Sequence, residues 1–329
     1  MNKSILVNGT FRSGSGAIND YLSSRTDFCN PFGEKEFRLI SDPMGLNNLY
    51  NLCYVNKSLL NSGYGFEVYL SYINNLQNYN IYLARGVKGK LYNNNLKKFT
   101  NQFINKITKI NYYAVPHYTR VNFNTKSKIM YSLGLKLNKK NHEMKITNII
   151  TPKNNKIFIK ESRIYIEKIL KYASLFKVNS KNVVLNNAID VMNPIDSSRY
   201  FKNPKIIIVT RDPRDIFSSM KVGGAGAAPN YNVKIFVEWY KHYFGSKDFK
   251  KSLKNKKILH VKFENFLNNF DYENERLCKF IGVKKNFILK KNCIFDLNTS
   301  KKNIAKSKKN LKKSEIKLIE KKLINFLQW

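Results

Sequence analysis

The chain has 329 residues, 43% hydrophobic and 13% aromatic, enough for a sizeable core in one large domain or one domain with an insertion. Lys and Arg number 59 against 22 Asp and Glu, a formal net charge of +37. Such a field attracts polyanions (nucleic acid, acidic glycan, anionic lipid or phosphorylated cofactors), but in a chain this rich in Lys, Asn, Ile and Tyr much of it is solvated surface charge with no specific partner. No run reaches the ~20 apolar residues of a membrane-spanning helix. The first strand starts too early to leave room for a signal peptide. Cys29, Cys53, Cys278 and Cys293 lack C-x-x-C spacing, so reduced thiols, no zinc site and a cytoplasmic location are expected.

The apolar run Ile5-Leu6-Val7 predicts a buried strand. A turn-rich segment follows, Asn8 to Ser15, with glycines at 9, 14 and 16, and then Ala17, Ile18, Tyr21 and Leu22 fall on one helical face. Strand, glycine turn and helix form a frame that holds phosphate on the free N–H groups of the first helical turn. The register Gly9-Thr-Phe-Arg-Ser-Gly14 matches the start of G-x-x-x-x-G-K-[ST]. Ser15 and Gly16 then stand where the phosphate-binding lysine and the magnesium-binding hydroxyl belong. The loop is therefore read as a phosphate-type site without the metal apparatus, with Arg12 as its strong cation.

Phe37 to Ile40 predicts a short strand, beside a cluster of Glu34, Glu36 and Arg38. From Asp42 to Val178 the pattern is less regular. Helical pieces are expected around Leu59 to Ile73 and Phe99 to Ile110. A hairpin is expected on either side of Pro152 (Lys145 to Ile150, Lys156 to Ile159), then an amphipathic helix from Arg163 to Phe176. Residues 45–180 are read as a largely helical insertion carrying acceptor specificity, within a single domain over 1–329.

Strands return at Val183-Val-Leu-Asn-Asn and at Lys205-Ile-Ile-Ile-Val-Thr. The second runs into Arg211-Asp-Pro-Arg-Asp-Ile-Phe-Ser-Ser. Asp212 suits an N-cap, Pro213 the first helical position, and Asp215 a capping box. Helical side chains lean toward the N-terminus, so Ser219 can face back to Arg211. A glycine-rich loop (Gly223 to Pro229), a helix around Phe236 to Tyr243, a strand from Lys257 to Asn265 and a helix from Glu273 to Ile281 follow. The chain closes with a basic turn, Ser300-Lys-Lys-Asn-Ile, and a helix from Ile316 to Leu327. Four strands each followed by a helix predict an α/β fold with a doubly wound parallel sheet.

With these pieces in order the chain resembles the sulfotransferase family, whose donor is 3′-phosphoadenosine 5′-phosphosulfate and whose fold is P-loop NTPase-like. Phe11-Arg-Ser-Gly-Ser-Gly-Ala resembles the 5′-phosphosulfate loop [KR]-[ST]-G-[ST]-[ST], with Gly16 in place of the last hydroxyl. Ile206 to Ser219 resembles the 3′-phosphate motif, an Arg at a strand end and a Ser eight residues on. Val261-Lys-Phe-Glu-Asn-Phe-Leu and Glu275 to Val283 look like the later strand and helix, and Ser300-Lys-Lys-Asn-Ile like the late basic loop.

The resemblance implies that Arg12, Ser13, Gly14, Ser15, Gly16 and Ala17 bind the 5′ end of the donor, and that Arg211 and Ser219, with Lys301 and Lys302, bind the 3′-phosphate. It implies no metal and the product 3′,5′-bisphosphoadenosine. Glu36 is the favoured base, by analogy with the glycan and tyrosylprotein branch. Glu34 is second and His117 is the runner-up, while Arg38 is placed to orient the base or grip an acidic acceptor. The family's L-K-x-P lysine is replaced by Leu185-Asn-Asn. The expected acceptor is a glycan or polysaccharide, including a lipid-linked precursor, with no specific nucleic acid. A small-molecule kinase on the same fold and a non-catalytic polyanion binder are the alternatives.

Overall fold

Five short apolar runs pair into one parallel sheet: β1 (Lys3–Gly9), β2 (Phe28–Cys29), β3 (Asn182–Asn186), β4 (Pro204–Thr210) and β5 (Ile258–Lys262). Their order is β2-β3-β1-β4-β5, and every pairing in the sheet is parallel. The computed structural model describes residues 3–329 except 10, 34, 59, 79, 85–86, 91–94, 122–123, 138–146, 174, 177–181, 225–227, 286–287, 289 and 291–294.

Side chains alternate across the strands and so sort into two cores. Ile5, Val7, Val184, Ile207 and Val209 face one side, where they meet Ile18 and Leu22 of α1 (Ser15–Ser23). Leu6, Leu185, Ile206 and Ile208 face the other. There they meet Phe217 of α2 (Pro213–Gly223) and Phe236 and Tyr240 of α3 (Val233–Phe244). Leu277 and Ile281 of α4 (Phe270–Ile281) join α1 on the first side. Helices on both faces of a parallel sheet make this the doubly wound α/β fold. Full burial of each such aliphatic side chain stabilises it by about 1.5–3 kcal/mol.

The long segment between β2 and β3 adds its core to the Leu6 side, through Phe66, Phe103 and Phe158. It holds the helices Asn61–Asn78, Leu96–Ile107 and Asn155–Lys171, and two two-stranded antiparallel sheets, Asn80–Ala84 with Val87–Lys90 and Thr108–Ala114 with Thr147–Pro152. Two expectations fail here. Thr147–Pro152 pairs antiparallel with Thr108–Ala114, while Lys156 to Ile159 lies inside the helix Asn155–Lys171. Asn154 caps that helix by accepting from the Ile157 N–H, and the cap wins over the hairpin read around Pro152. Phe37 to Ile40 is not a strand. Its residues are anchored in the core one by one, and the Phe37 N–H donates to the Asn186 carbonyl in place of a ladder. Cys29, Cys53 and Cys278 are buried, and Cys293 lies outside the described residues. Among the described residues no helix is long and apolar enough to cross a membrane.

Candidate functional site

The carboxyl ends of β1, β3, β4 and β5 open onto a cleft of about 970 Å³. Ligands of open α/β sheets bind at this edge. The loop after β1 forms its floor. Arg12 and Gly14 both sit in the left-handed region, at φ 54° and 88°. A Cβ on Gly14 would lie 2.3 Å from the Phe263 ring, so both the backbone angle and the packing require glycine there. A Cβ on Gly16 would meet nothing within 4 Å, so the missing family hydroxyl leaves open space. The Ser13 hydroxyl is buried and, among the described residues, has no hydrogen-bond partner.

Arg211 joins this loop to α2. It is 4% exposed. Its Nη1 donates to the Arg12 carbonyl at 3.0 Å and to the Ser219 hydroxyl at 3.1 Å, and its Nη2 donates to the Asn303 carbonyl at 2.6 Å. The Phe263 ring lies 5.3 Å away under the guanidinium, and Nε has no partner among the described residues. Burial lowers the Arg211 pKa, and the carboxylates of Asp215, Glu264 and Asp212 oppose that shift. It makes no salt bridge to Asp212 or Asp215. Asp212 instead caps α2 through the Arg214 N–H and pairs with the Arg214 side chain at 2.8 Å.

Asp215 does not complete a capping box. Its carboxylate accepts from the N–H groups of Ala305 and Ser307, at 2.7 and 2.9 Å, and so pins the late turn. The Asp212 N–H is taken by Glu264, from the turn after β5. Pinning the turn at 305 and 307 brings Asn303, Lys306 and Asn310 to the cleft wall. Lys301 and Lys302 are exposed and do not line it. The basic turn thus reaches the cleft through Lys306, the lysine between the two N–H groups that Asp215 holds.

Glu36 and Arg38 line the opposite part of the cleft. Glu36 Oε1 accepts from Asn187 Nδ2 at 2.6 Å and Oε2 from Arg38 at 3.0 Å, while Arg38 Nε donates to Asp42 at 2.6 Å. Asn187, at φ 47°, also accepts from the Gly9 N–H at 3.2 Å. One asparagine therefore ties Glu36 to the phosphate-type loop. Glu34 lies outside the described residues. His117 is exposed at the start of the short helix His117–Val121 and does not line the cleft. His117 is thus not placed as a base for this cleft.

Arg12 lines the cleft, but its guanidinium is already engaged. Nη2 donates to the carbonyls of Gly223 at 2.5 Å and Gly224 at 2.9 Å, and Nε to Gly224 at 3.2 Å. Sequence reasoning missed Asn187, Lys306, Glu264 and the aromatic residues Trp239 and Tyr243. For Glu264 a signal was present in the strand-end Phe-Glu. For the others only tertiary structure shows the placement.

The fold and cleft define an α/β protein whose glycine-bearing loop after β1 stands beside a buried arginine, without the lysine and hydroxyl of a magnesium site. A model of the sulfotransferase family matches residues 195–286, the segment that holds β4, α2, α3, β5 and α4. That segment is thus similar to the sulfotransferase family, and to no particular branch of it. No curated protein sequence matches it. Solved structures similar to it include the sulfotransferase domain from the curacin biosynthetic pathway: 14% identity over 98% of each chain, TM-score 0.43. Retinol dehydratase in complex with androsterone and inactive cofactor PAP shares 13% identity over 99% of this chain and 80% of that one, TM-score 0.37. A sulfotransferase of Mycobacterium tuberculosis shares 10% identity over 93% of this chain and 77% of that one, TM-score 0.36.

Proposed function

We propose that the protein transfers the sulfonate of 3′-phosphoadenosine 5′-phosphosulfate to a hydroxyl of a glycan acceptor, without a metal. The observation that carries this reading is the Arg211 side chain. It touches both the loop expected at the 5′ end of such a donor, through the Arg12 carbonyl, and Ser219, expected at the 3′-phosphate. A plain mononucleotide has no group for the second contact. The residues also fit a polyanionic donor: the Ser13 hydroxyl and Arg211 Nε are buried polar atoms without a partner among the described residues, which are costly unless a ligand pairs them.

The donor, when bound, supplies an activated sulfonate. The N–H groups of Gly14 to Ala17, at the start of α1, would hold its 5′-phosphate. Arg211, Ser219 and Lys306 would hold the 3′-phosphate. Arg12 would face the charge that grows on the leaving oxygen. Glu36, kept in place by Asn187 and Arg38, would take the acceptor proton, since each carboxylate oxygen can accept more than one hydrogen bond.

Calorimetry with 3′,5′-bisphosphoadenosine against 5′-AMP, in a chelator, tests the reading. Bisphosphoadenosine should bind at least tenfold more tightly, about 1.4 kcal/mol. Equal affinities would refute the 3′-phosphate assignment. Binding that needs magnesium would favour a kinase. Binding that collapses with salt and ignores the 3′ group would favour a polyanion binder.

A further inference from the structure

We infer that the acceptor is an electrically neutral pyranoside lying face-on against an aromatic wall, rather than an acidic glycan; the inference rests on the sulfotransfer reading above. Phe11, Trp239 and Tyr243 all line the cleft. Phe11 immediately precedes Arg12, so the wall begins one residue from the loop. The Phe11 and Trp239 ring centroids are 5.7 Å apart, and those of Trp239 and Tyr243 are 5.8 Å apart. Phe11 is 42% exposed and Tyr243 41%. Phe11 and Tyr243 are open to solvent inside the cleft and Trp239 is half-buried between them; the rings are tilted by 55° and 57° to their neighbours, so each offers its own apolar face to a ligand. The C–H face of a pyranose is a flat apolar surface with hydroxyls at its edge.

The charges at the acceptor end point the same way. Arg38 divides its guanidinium between Glu36 and Asp42. Asp190 lines the cleft as well, and its carboxylate accepts from the Met192 N–H and from Asn193 Nδ2, neither of them charged. Two carboxylates thus flank the one Arg38 guanidinium, and Asp190 adds a further carboxylate to the cleft lining. The lysine on the cleft wall, Lys306, belongs to the turn beside Arg211 and not to this end. A uronate or sulfated sugar would bring its anion next to Glu36 and Asp190, where like charges repel. A neutral ring places only hydroxyls there, and Glu36, Asp190 and Asn187 supply acceptors and a donor for them.

The test uses the full chain saturated with 3′,5′-bisphosphoadenosine and two probes, cellotetraose and the corresponding β-1,4-linked tetraglucuronate. Binding is read by calorimetry and by the intrinsic emission of Trp239, with Trp239→Phe reporting the share due to Trp329. The neutral probe should bind at least tenfold more tightly than the charged one. Trp239→Ala and Tyr243→Ala should each weaken it about tenfold, Trp239→Phe much less, with bisphosphoadenosine affinity within about twofold of the parent. Asp190→Asn should narrow the preference by relieving repulsion of the uronate. Tighter or equal binding of the uronate overturns the inference. So does the absence of any response to cellotetraose while bisphosphoadenosine binds normally, and in that case the donor reading stands. Failure of bisphosphoadenosine to bind at all would instead remove the sulfotransfer reading beneath it.

Discussion

Glu264→Gln should make the protein more stable at alkaline pH and change it little at acid pH. Glu264 is 1% exposed. Its Oε1 accepts from the Asp212 N–H at 3.0 Å, and its Oε2 has no partner among the described residues. Burial pushes the carboxyl from an ordinary value near 4.5 up to about 7, against the pull of the Asp212 N–H and the Arg211 charge. Between those two values the folded protein holds a proton that the unfolded chain has lost. The stabilisation is therefore complete below about pH 4.5 and is lost as pH rises through 7. The span corresponds to roughly 3 kcal/mol as an upper scale, at about 1.4 kcal/mol for each pH unit. Glutamine keeps the shape and the acceptor for Asp212 and has no charge to bury. Urea unfolding of both proteins at pH 5 and pH 8 reads the difference. The variant should gain on the parent by up to about 3 kcal/mol between the two conditions. His260 is half-buried, and desolvation, with the charges of Lys262 and Arg276, holds it down to about 4; it penalises both proteins equally at low pH, so it cancels in the comparison. A difference between variant and parent that is the same at both pH values would refute the reasoning.

Ser219→Ala leaves Arg211 its two carbonyl partners, so it should cost only about 1 kcal/mol of stability while reducing the preference for bisphosphoadenosine over 5′-AMP severalfold. Arg211→Ala should erase that preference and also lower the melting temperature, because it separates three segments; calorimetry and a thermal melt read the two effects. Arg12→Ala should reduce turnover about 100-fold and donor affinity far less, since its charge is needed as the leaving oxygen becomes negative. A raised donor dissociation constant with unchanged turnover would count against that role. Glu36→Gln should leave bisphosphoadenosine affinity unchanged and abolish transfer, and near-normal transfer would show that the base lies elsewhere. Gly14→Ala should weaken both folding and donor binding, because the new methyl meets the Phe263 ring at a positive φ; a variant with parental stability would contradict the geometry.

Four strands of the central sheet, β1, β3, β4 and β5, were legible because they carry apolar runs, while the two-residue β2 (Phe28–Cys29) gave no such signal. Ile5 and Val7 against Leu6, and Ile207 and Val209 against Ile206 and Ile208, fall on the two faces as alternation demands. The local structure of the Arg211 to Ser219 segment was legible for a different reason: a strand end, an N-cap, a proline and a serine two turns on leave few alternative geometries. Asp215 was misread because a carboxylate three residues after an N-cap reads equally well as half of a capping box. Which backbone N–H groups it accepts from depends on a turn ninety residues away in sequence. Lys306 was missed for the same reason: a run of lysines looks alike until one turn is pinned. The Thr147–Pro152 strand was found, but its partner was sought downstream in sequence and lies upstream, at Thr108–Ala114. Pairing between distant strands leaves no mark in local periodicity.

The contacts of Arg12 bear on how an anion would leave the cleft. Its guanidinium has carbonyl acceptors, those of Gly223 and Gly224, at hydrogen-bond distance. An anion that captures this side chain gains an exchanged hydrogen bond rather than a new one, so the net attraction is smaller than that of an unengaged arginine. The same exchange runs in reverse at departure. The carbonyls wait as a resting place for the charge, and the barrier to release is lowered by the bonds that re-form. For the proposed product, 3′,5′-bisphosphoadenosine, which would keep both of the donor's phosphates, such a resting place would favour turnover over retention.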